Sequence, residues 1–553
     1  MKRLSVFSFL IVLFFTVNIV KAQDEMGGIP YSFSTKKISM NIPQMKLPSV
    51  DHAALLEEDA AQEKNNPLRI SVHQVLNYTM KNSGRVDILD DGSKLWRVNI
   101  KSPNAYATYL HFSSFDIPEG ASLFAYSPDQ QFIRGKYTKK NEGGDFYVLD
   151  IPGDEIVVEY YEPAGATFAG HFEIAGLGHL YRDVFVSKGR WGYASDCHIN
   201  VACPEAQVWL NQINSVVCVR AVIQGGSYLC SGVMMNNTRL DRKPYVYTAA
   251  HCYKNGTTWN FYFGYHAPTC NNNVVNNASS FIGYHASGGI VRAVDHEGAG
   301  DPGGMSRGPD FMLLEITGTL SKQILDHLYF AGWDISSSIP SVGAAIHHPS
   351  GDFKKYSKPL QNSLFSDYYW KVDWLRRGEN KGVTEIGSSG SPLFNAEGYT
   401  VGHLSRGISY CESQQVGGST RSDYYGKISA AWIFKENPTL QLKHWLDPDN
   451  TGVTKLSGGY YSQIVSVENN KEKIGFAVNI YPNPTIGTVK INGNFNGERI
   501  QCNIYSTLGT LVHKESIVVS NEFELNLELT NGVYFLELQG KERKSTHKLI
   551  ISK

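Results

Sequence analysis

The chain has almost no net charge: 51 basic residues against 52 acidic ones among 553, a formal charge of -1 at pH 7. No region carries the basic excess with which a protein grips a polyanion, so electrostatics excludes nucleic acid as a partner. Beyond residue 22 no apolar run reaches the roughly 18 residues that a membrane-crossing helix needs. Cysteine is scarce, with eight in the chain, and none has the C-x-x-C spacing of a zinc site. Neither a metal nor a cofactor is therefore expected. Glycine (52) and tyrosine (31) are plentiful, while charged residues make up only 19%. That is the profile of a turn-rich, strand-rich protein, and the length predicts about three or four domains.

The N-terminus reads as an export signal. Lys2 and Arg3 precede an apolar run from Leu4 to Val20, and Val20-Lys21-Ala22 offers small residues for cleavage after Ala22. Residues 1–22 are expected as a signal peptide, the alternative being an uncleaved anchor. Export changes how the cysteines are read, because clustered cysteines in an oxidising compartment pair more often than they ligate metals. Six of the eight (Cys197, Cys203, Cys230, Cys252, Cys270 and Cys411) lie in one stretch. Cys218 and Cys502 stand in apolar, strand-like contexts and are expected as buried free thiols.

Three textures follow the signal. Residues 23–66 are polar and irregular, with Glu57-Glu58-Asp59 as an acidic stretch; from Leu95 short alternating strands broken by turns predict an antiparallel β domain. The whole segment 23–188 is expected as one β-rich unit. Residues 189–456 are glycine-rich and aromatic, hold six of the cysteines, and end in a helix at LQLKHWLD. Residues 457–475 read as a linker, and 476–553, with its Pro-Asn-Pro and Asn-Gly turns, as a small β-sandwich.

The chemistry is concentrated in the middle segment, where three motifs stand in the order His, Asp, Ser. In YVYTAAHC (245–252) an apolar strand runs through small alanines to His251, beside Cys252. A general base needs a rigid strand end with room for a nucleophile against its ring. In GPDFMLLEI, Asp310 opens an apolar strand, where a buried carboxylate can accept the imidazole N–H and stabilise the imidazolium. In GSSGSP (387–392), Ser389 is the candidate nucleophile, and Gly387 permits a turn that aims its own N–H and that of Ser389 at a developing oxyanion. Each motif alone is common in loops; the conjunction and its order are not. The order also excludes the α/β-hydrolase arrangement, which runs Ser, Asp, His.

Residues 197 to about 450 resemble the bacterial lysyl endopeptidases, a branch of the trypsin-like serine proteases. The resemblance rests on CHINVACPE, NNTRLDRKPYVYTAAHC, PDFMLLE, AGWDISSSIP, AIHHPSGDFKKYS, KGVTEIGSSGSPLF, RSDYYGKI and WLDPDNTG. It implies a mainly β fold with a two-barrel, chymotrypsin-like protease domain, and a triad of His251, Asp310 and Ser389. It also implies disulfides Cys197–Cys411, Cys203–Cys270 and Cys230–Cys252. Six residues before the nucleophile, where trypsin-like proteases often set the base of the P1 pocket, stands apolar Val383. The resemblance places the P1 carboxylate instead at Asp423 in RSDYYG, which implies cleavage after lysine, with a solvated loop aspartate beside Arg421 as the alternative. HLSRG departs from the family pattern: Ser405 and Arg406 stand where a histidine and a glycine are usual, and a cation there bears on the P1 preference.

The aspartate that pairs with the new N-terminus in trypsin is replaced by Ser388, so latency is expected from segment 23–188 acting as a propeptide cleaved at Lys188. The last eighty residues, with YPNPTIG, YSTLG, LTNGVYFLEL and HKLIISK, resemble the sorting domain of the type IX secretion system, which implies passage through the periplasm to the outside and that secretion machinery as a partner. The expectation is a monomeric, secreted serine endopeptidase acting on proteins or peptides. Arginine or mixed specificity, and an inactive binding protein on the same fold, are the alternatives.

Overall fold

In the computed structural model the described residues are 28–35, 38–39, 41–62, 66–139, 146–183, 194–223, 225–254, 256–271, 284–295, 307–374, 382–409, 411, 422–464, 478–493, 495, 497–506, 510–541 and 544–553. The expected processing sites at Ala22 and Lys188, and Arg421, lie outside them. The fold is mainly β, and it divides into two compact units, residues 1–465 and 466–553.

The first unit opens with a sandwich. One sheet is built on the neighbouring strands Lys94–Lys101 and Glu155–Glu162; the other carries Leu68–Tyr78, His171–Leu180, Ala107–Asp116 and Phe146–Pro152. Between them Trp96, Val98, Ile100, Leu110, Phe112, Ile156, Val158 and Leu177 form a closed core. The alternation visible from Leu95 onward produces this core, since every second side chain of a strand faces the same way. The stretch expected as irregular contains a helix, His52–Ala60, capped by Asp51 accepting from the Ala54 N–H. Its Asp59 is buried against Arg69, Arg182 and the Tyr181 hydroxyl. The acidic run there is anchored by ion pairs, which composition alone does not reveal.

Two antiparallel sheet systems follow. The first has Val216–Ile223, Gly226–Met235, Tyr245–Ala249, Thr258–Tyr262, Gly289–Val294 and Phe311–Ile316; the second has Ala344–His347, Lys355–Ser357, Pro359–Leu364, Tyr369–Trp374, Pro392–Phe394, Thr400–Gly407 and Ser422–Lys427. These are the two barrels, and a core including Tyr247, Phe311, Leu313, Trp333, Ile346 and Phe394 joins them. The late helix is present at Leu442–Leu446. The expected linker begins later than 457, because Gly459–Tyr460 pairs with Tyr329–Phe330 and Ile464 is buried in the first-barrel core.

Sandwich and barrels share a sheet. Leu68–Tyr78 pairs antiparallel with Gly226–Met235, with Ser71 opposite Ser227 and Leu68 opposite Leu229. Beneath this seam Arg220 is wholly buried, ion-paired to Asp150, with its guanidinium 4.8 Å from the Tyr109 ring centroid. A buried pair is a poor net source of stability, but losing one partner strands the other charge. Arg220→Ala is expected to destabilise the uncleaved protein by about 3–5 kcal/mol, whereas the volume-matched pair Arg220→Met with Asp150→Leu costs far less. Urea unfolding measures both.

The second unit is a sandwich of its own. Val478–Tyr481, Thr488–Gly493 and Glu522–Asn526 face Leu511–Val519, Glu498–Ser506, Gly532–Gln539 and Lys544–Ile551. Its core includes Val489, Ile491, Ile500, Ile504, Leu536 and Leu549. Cys502 is a free thiol in that core, and Cys218 is another in the first unit, both as expected.

Candidate active site

His251 lies in a short 3-10 turn, Ala250–Cys252, at the end of strand Tyr245–Ala249. Asp310 immediately precedes the neighbouring strand Phe311–Ile316. Pairing of the two strands brings the side chains together. His251 Nδ1 is 2.7 Å from Asp310 Oδ2, and the His251 N–H donates to Oδ1 at 3.0 Å. A carboxylate only accepts, so Nδ1 carries the proton and Nε2 is left as the basic nitrogen. Among the described residues Nε2 has no hydrogen-bond partner. Asp310 is 1% exposed. Burial pushes its carboxyl up, but His251 and the Ser405 hydroxyl, which donates to Oδ2 at 2.7 Å, outweigh that and hold it below the usual range.

Ser389 sits on the loop before Pro392–Phe394 in the other barrel. Its carbonyl accepts from the Ser231 N–H at 2.7 Å, while the Ser231 hydroxyl donates to the Gly387 carbonyl and accepts from the His348 N–H. Ser231 follows Cys230, and Cys230 is disulfide-bonded to Cys252, next to His251. One cross-link thus steadies both the histidine turn and the residue that holds the serine loop. Gly387 and Gly390 have φ of +89° and +80°, a region where a side chain is strained. A Cβ on Gly390 would also fall 2.0 Å from Thr248 Oγ1 and 2.8 Å from the Ala249 nitrogen, so the serine loop reaches the histidine strand only because that residue is glycine. Among the described residues the N–H groups of Gly387 and Ser389 donate to nothing, which is the condition of an oxyanion hole before substrate arrives.

The trypsin-type aspartate is absent, and Ser388 serves instead as a tie: its hydroxyl bonds His347 Nδ1 at 2.7 Å and accepts from the Glu385 N–H. Glu385, four residues before Ser389, accepts from the Ser195 N–H and the Ser350 hydroxyl, and its Oε1 lies 3.1 Å from His198 Nε2. Burial raises its carboxyl, yet His198, Ser195 and Ser350 together hold it down at about 2. Because the folded value lies below the unfolded one, Glu385 contributes stability that is full above the ordinary 4.5 and is lost as pH falls through about 2. Glu385→Gln should therefore lower Tm at neutral pH and show a shallower decline in acid. Thermal unfolding across that range checks both.

Asp423 is fully buried in strand Ser422–Lys427, not a solvated loop aspartate. Its Oδ2 accepts from Trp374 Nε1 (2.7 Å), Thr384 Oγ1 (2.6 Å) and Ser409 Oγ, and its Oδ1 from the Ser409 N–H. Gly407 lies so close that a Cβ there would fall 1.7 Å from Oδ1. Thr384, next to Val383, is the residue of that loop that reaches the carboxylate, whereas Val383 packs against the core that contains Trp370, Val372 and Trp374. Arg406, on the strand Thr400–Gly407, lies over the Tyr369 ring with its guanidinium carbon 4.8 Å from the centroid. The disulfides are Cys197–Cys411, Cys203–Cys270 and Cys230–Cys252. Cys197, His198 and Cys411 come within ligand distance of one another, but the two sulfurs are already bonded together.

Residues 191–426 match the family model described as lysyl endopeptidase, C-terminal domain, and 479–552 match the secretion system C-terminal sorting domain. The chain is thus similar to lysyl endopeptidases over its middle segment and to a secretion sorting domain over its last residues. A lysyl endopeptidase of Pseudomonas aeruginosa is 26% identical over 348 residues, covering 58% of this chain and 66% of that protein. Among solved structures, the protease Anisep from Arthrobacter nicotinovorans aligns at 16% identity over 39% of this chain and 91% of its own, with a TM-score of 0.28. The thermostable serine protease AL20 aligns at 12% identity over 39% and 91%, with a TM-score of 0.26. Scores of that size add nothing to the fold read from the strands. The sorting-domain match supports secretion of the protein outside the cell.

Proposed function

We propose that the chain is a serine endopeptidase that cleaves after lysine through an acyl-enzyme. The observation that carries this reading is the joint geometry of His251 on Asp310 with the undonated N–H groups of Gly387 and Ser389. In this mechanism His251 Nε2 takes the Ser389 Oγ proton as Oγ attacks the scissile carbonyl, and Asp310 stabilises the imidazolium. The Gly387 and Ser389 N–H groups hold the oxyanion. His251 then protonates the leaving amine, and water repeats the sequence to free the acid.

Asp423 is the P1 determinant in this reading. A carboxylate attracts an ammonium at 4 Å by about 4 kcal/mol at an effective dielectric near 20. Its Oδ2 already accepts three hydrogen bonds, and its Oδ1 accepts from the Ser409 N–H, so Oδ2 has no lone pair to spare for one prong of the two-pronged grip of a guanidinium. That favours lysine over arginine.

The sandwich of residues 23–188 is the propeptide, and cleavage after Lys188 releases it from covalent attachment. Ser195, seven residues beyond that bond, donates to Glu385 on the serine loop, so processing would be felt at the nucleophile. In the exporting host, the wild-type protein is expected to lose segment 23–188 by cleavage after Lys188, and Ser389→Ala to retain it. Equal trimming of the two, read by N-terminal analysis, would sink self-maturation.

A further inference from the structure

The strand Thr400–Gly407 carries more than Arg406 and Gly407. Its His403 is fully buried, with Nε2 2.8 Å from the backbone carbonyl of Asp310 and Nδ1 2.8 Å from the Tyr247 hydroxyl. Burial lowers the ring's pKa to about 4 against the pull of Asp310, so it is neutral at physiological pH. A carbonyl oxygen only accepts. Nε2 is therefore the protonated nitrogen, Nδ1 accepts, and the Tyr247 hydroxyl donates. Every polar atom of the pair is assigned one role.

The backbone that His403 grips is unusual. Asp310 has φ of +55°, the left-handed region that a non-glycine residue adopts at a steric cost. Its carbonyl also accepts from the Ala250 N–H at 2.9 Å, and its own N–H donates to Asp295. The left-handed turn aims the Asp310 carboxylate back at His251 while the carbonyl points to His403. No room is left for adjustment behind the ring, since a Cβ on Gly426 would lie 2.6 Å from His403 Cε1.

We propose that His403, with its tautomer set by Tyr247, is a positioning residue that holds Asp310 in this left-handed conformation and so fixes the carboxylate against His251. Ser405, two residues along the same strand, grips the carboxylate itself. One strand thereby orients Asp310 by backbone and by side chain, and its Gly407 abuts Asp423. The titratable groups acting on the ring are Asp310 and His251, with Tyr247 bonded to it and Tyr369 facing both Tyr247 and Asp310.

The inference rests on the proposed role of Asp310, and the experiment separates the two. Steady-state kinetics on a lysyl peptide would compare Asp310→Asn, His403→Leu, His403→Gln and Tyr247→Phe, each checked by thermal unfolding. His403→Leu should lower kcat by about 10- to 100-fold with KM within about 2-fold, the scale set by a misplacement near 1 Å. His403→Gln, which keeps a donor for the carbonyl, should recover part of that, and Tyr247→Phe should fall between wild type and His403→Leu. The acidic limb of kcat/KM should move to lower pH in His403→Leu, because a displaced Asp310 supports the His251 imidazolium less well. If Asp310→Asn is inactive while His403→Leu keeps the wild-type kcat and pH profile, or loses only Tm, the positioning role is overturned. If Asp310→Asn stays active, the reading of the site itself fails.

Discussion

Ser389→Ala is expected to lower kcat/KM on a lysyl peptide by about 10⁴- to 10⁶-fold, because the acyl-enzyme route disappears and only the oxyanion donors and substrate binding remain. The fold should hardly notice. Ser389 is 4% exposed, but its structural tie runs through its backbone carbonyl to Ser231. Its hydroxyl has no protein partner to strand among the described residues. Stability should accordingly stay within about 0.5 kcal/mol of wild type, and KM should change little. Parallel kinetics and urea unfolding read the two halves of this expectation. A variant that folds and still cleaves within about 10-fold of wild type would remove Ser389 from the chemistry.

The second large effect is at Asp423. Asp423→Asn keeps the shape of the side chain while removing the charge that an ammonium would meet. About 4 kcal/mol of attraction at a dielectric near 20 corresponds to about 10³-fold in kcat/KM for lysine. Cleavage at uncharged P1 residues, slow to begin with, should change far less. Trp374, Thr384 and Ser409 all donate to the carboxylate, and an amide oxygen can accept part of that set. The amide nitrogen meets a donor on its own side, so some loss of Tm accompanies the loss of specificity. Unchanged lysine cleavage by a folded Asp423→Asn would move the P1 determinant elsewhere.

The proposed triad could be read from the sequence because its elements are local. His251 closes an apolar strand, Asp310 opens one, and Ser389 stands between glycines whose positive φ a turn demands. The antiparallel texture of both sandwiches was equally readable from alternation. What escaped was whatever depends on contacts between distant segments. Ser231 ties the serine loop to the disulfide at Cys230, yet nothing in its neighbourhood marks it. Thr384, Ser409 and Trp374 converge on Asp423 from three strands and loops spread over 50 residues (374 to 423). Glu385 stands in the motif itself, but its partners Ser195 and His198 lie about 190 residues upstream.

The seam between sandwich and barrel was the larger omission. The texture marked 23–188 off from the protease segment as a stretch of sequence, and both lie in one compact unit, residues 1–465. Pattern alone could not show that Leu68–Tyr78 extends a barrel sheet, or that Arg220 is buried on Asp150. Strand pairing between segments leaves no signature in either strand, because each reads as an ordinary alternating run. HLSRG drew notice for Arg406, although the residues of that strand in contact with Asp310 are His403 and Ser405.

The most direct measurement of the central claim is covalent labelling of the purified, processed protein with a fluorophosphonate, followed by peptide mapping. A single stoichiometric adduct on Ser389 is expected, lost in His251→Ala and blocked by prior incubation with a lysyl substrate analogue. Absence of label, or label on another serine with peptidase activity intact, would contradict it.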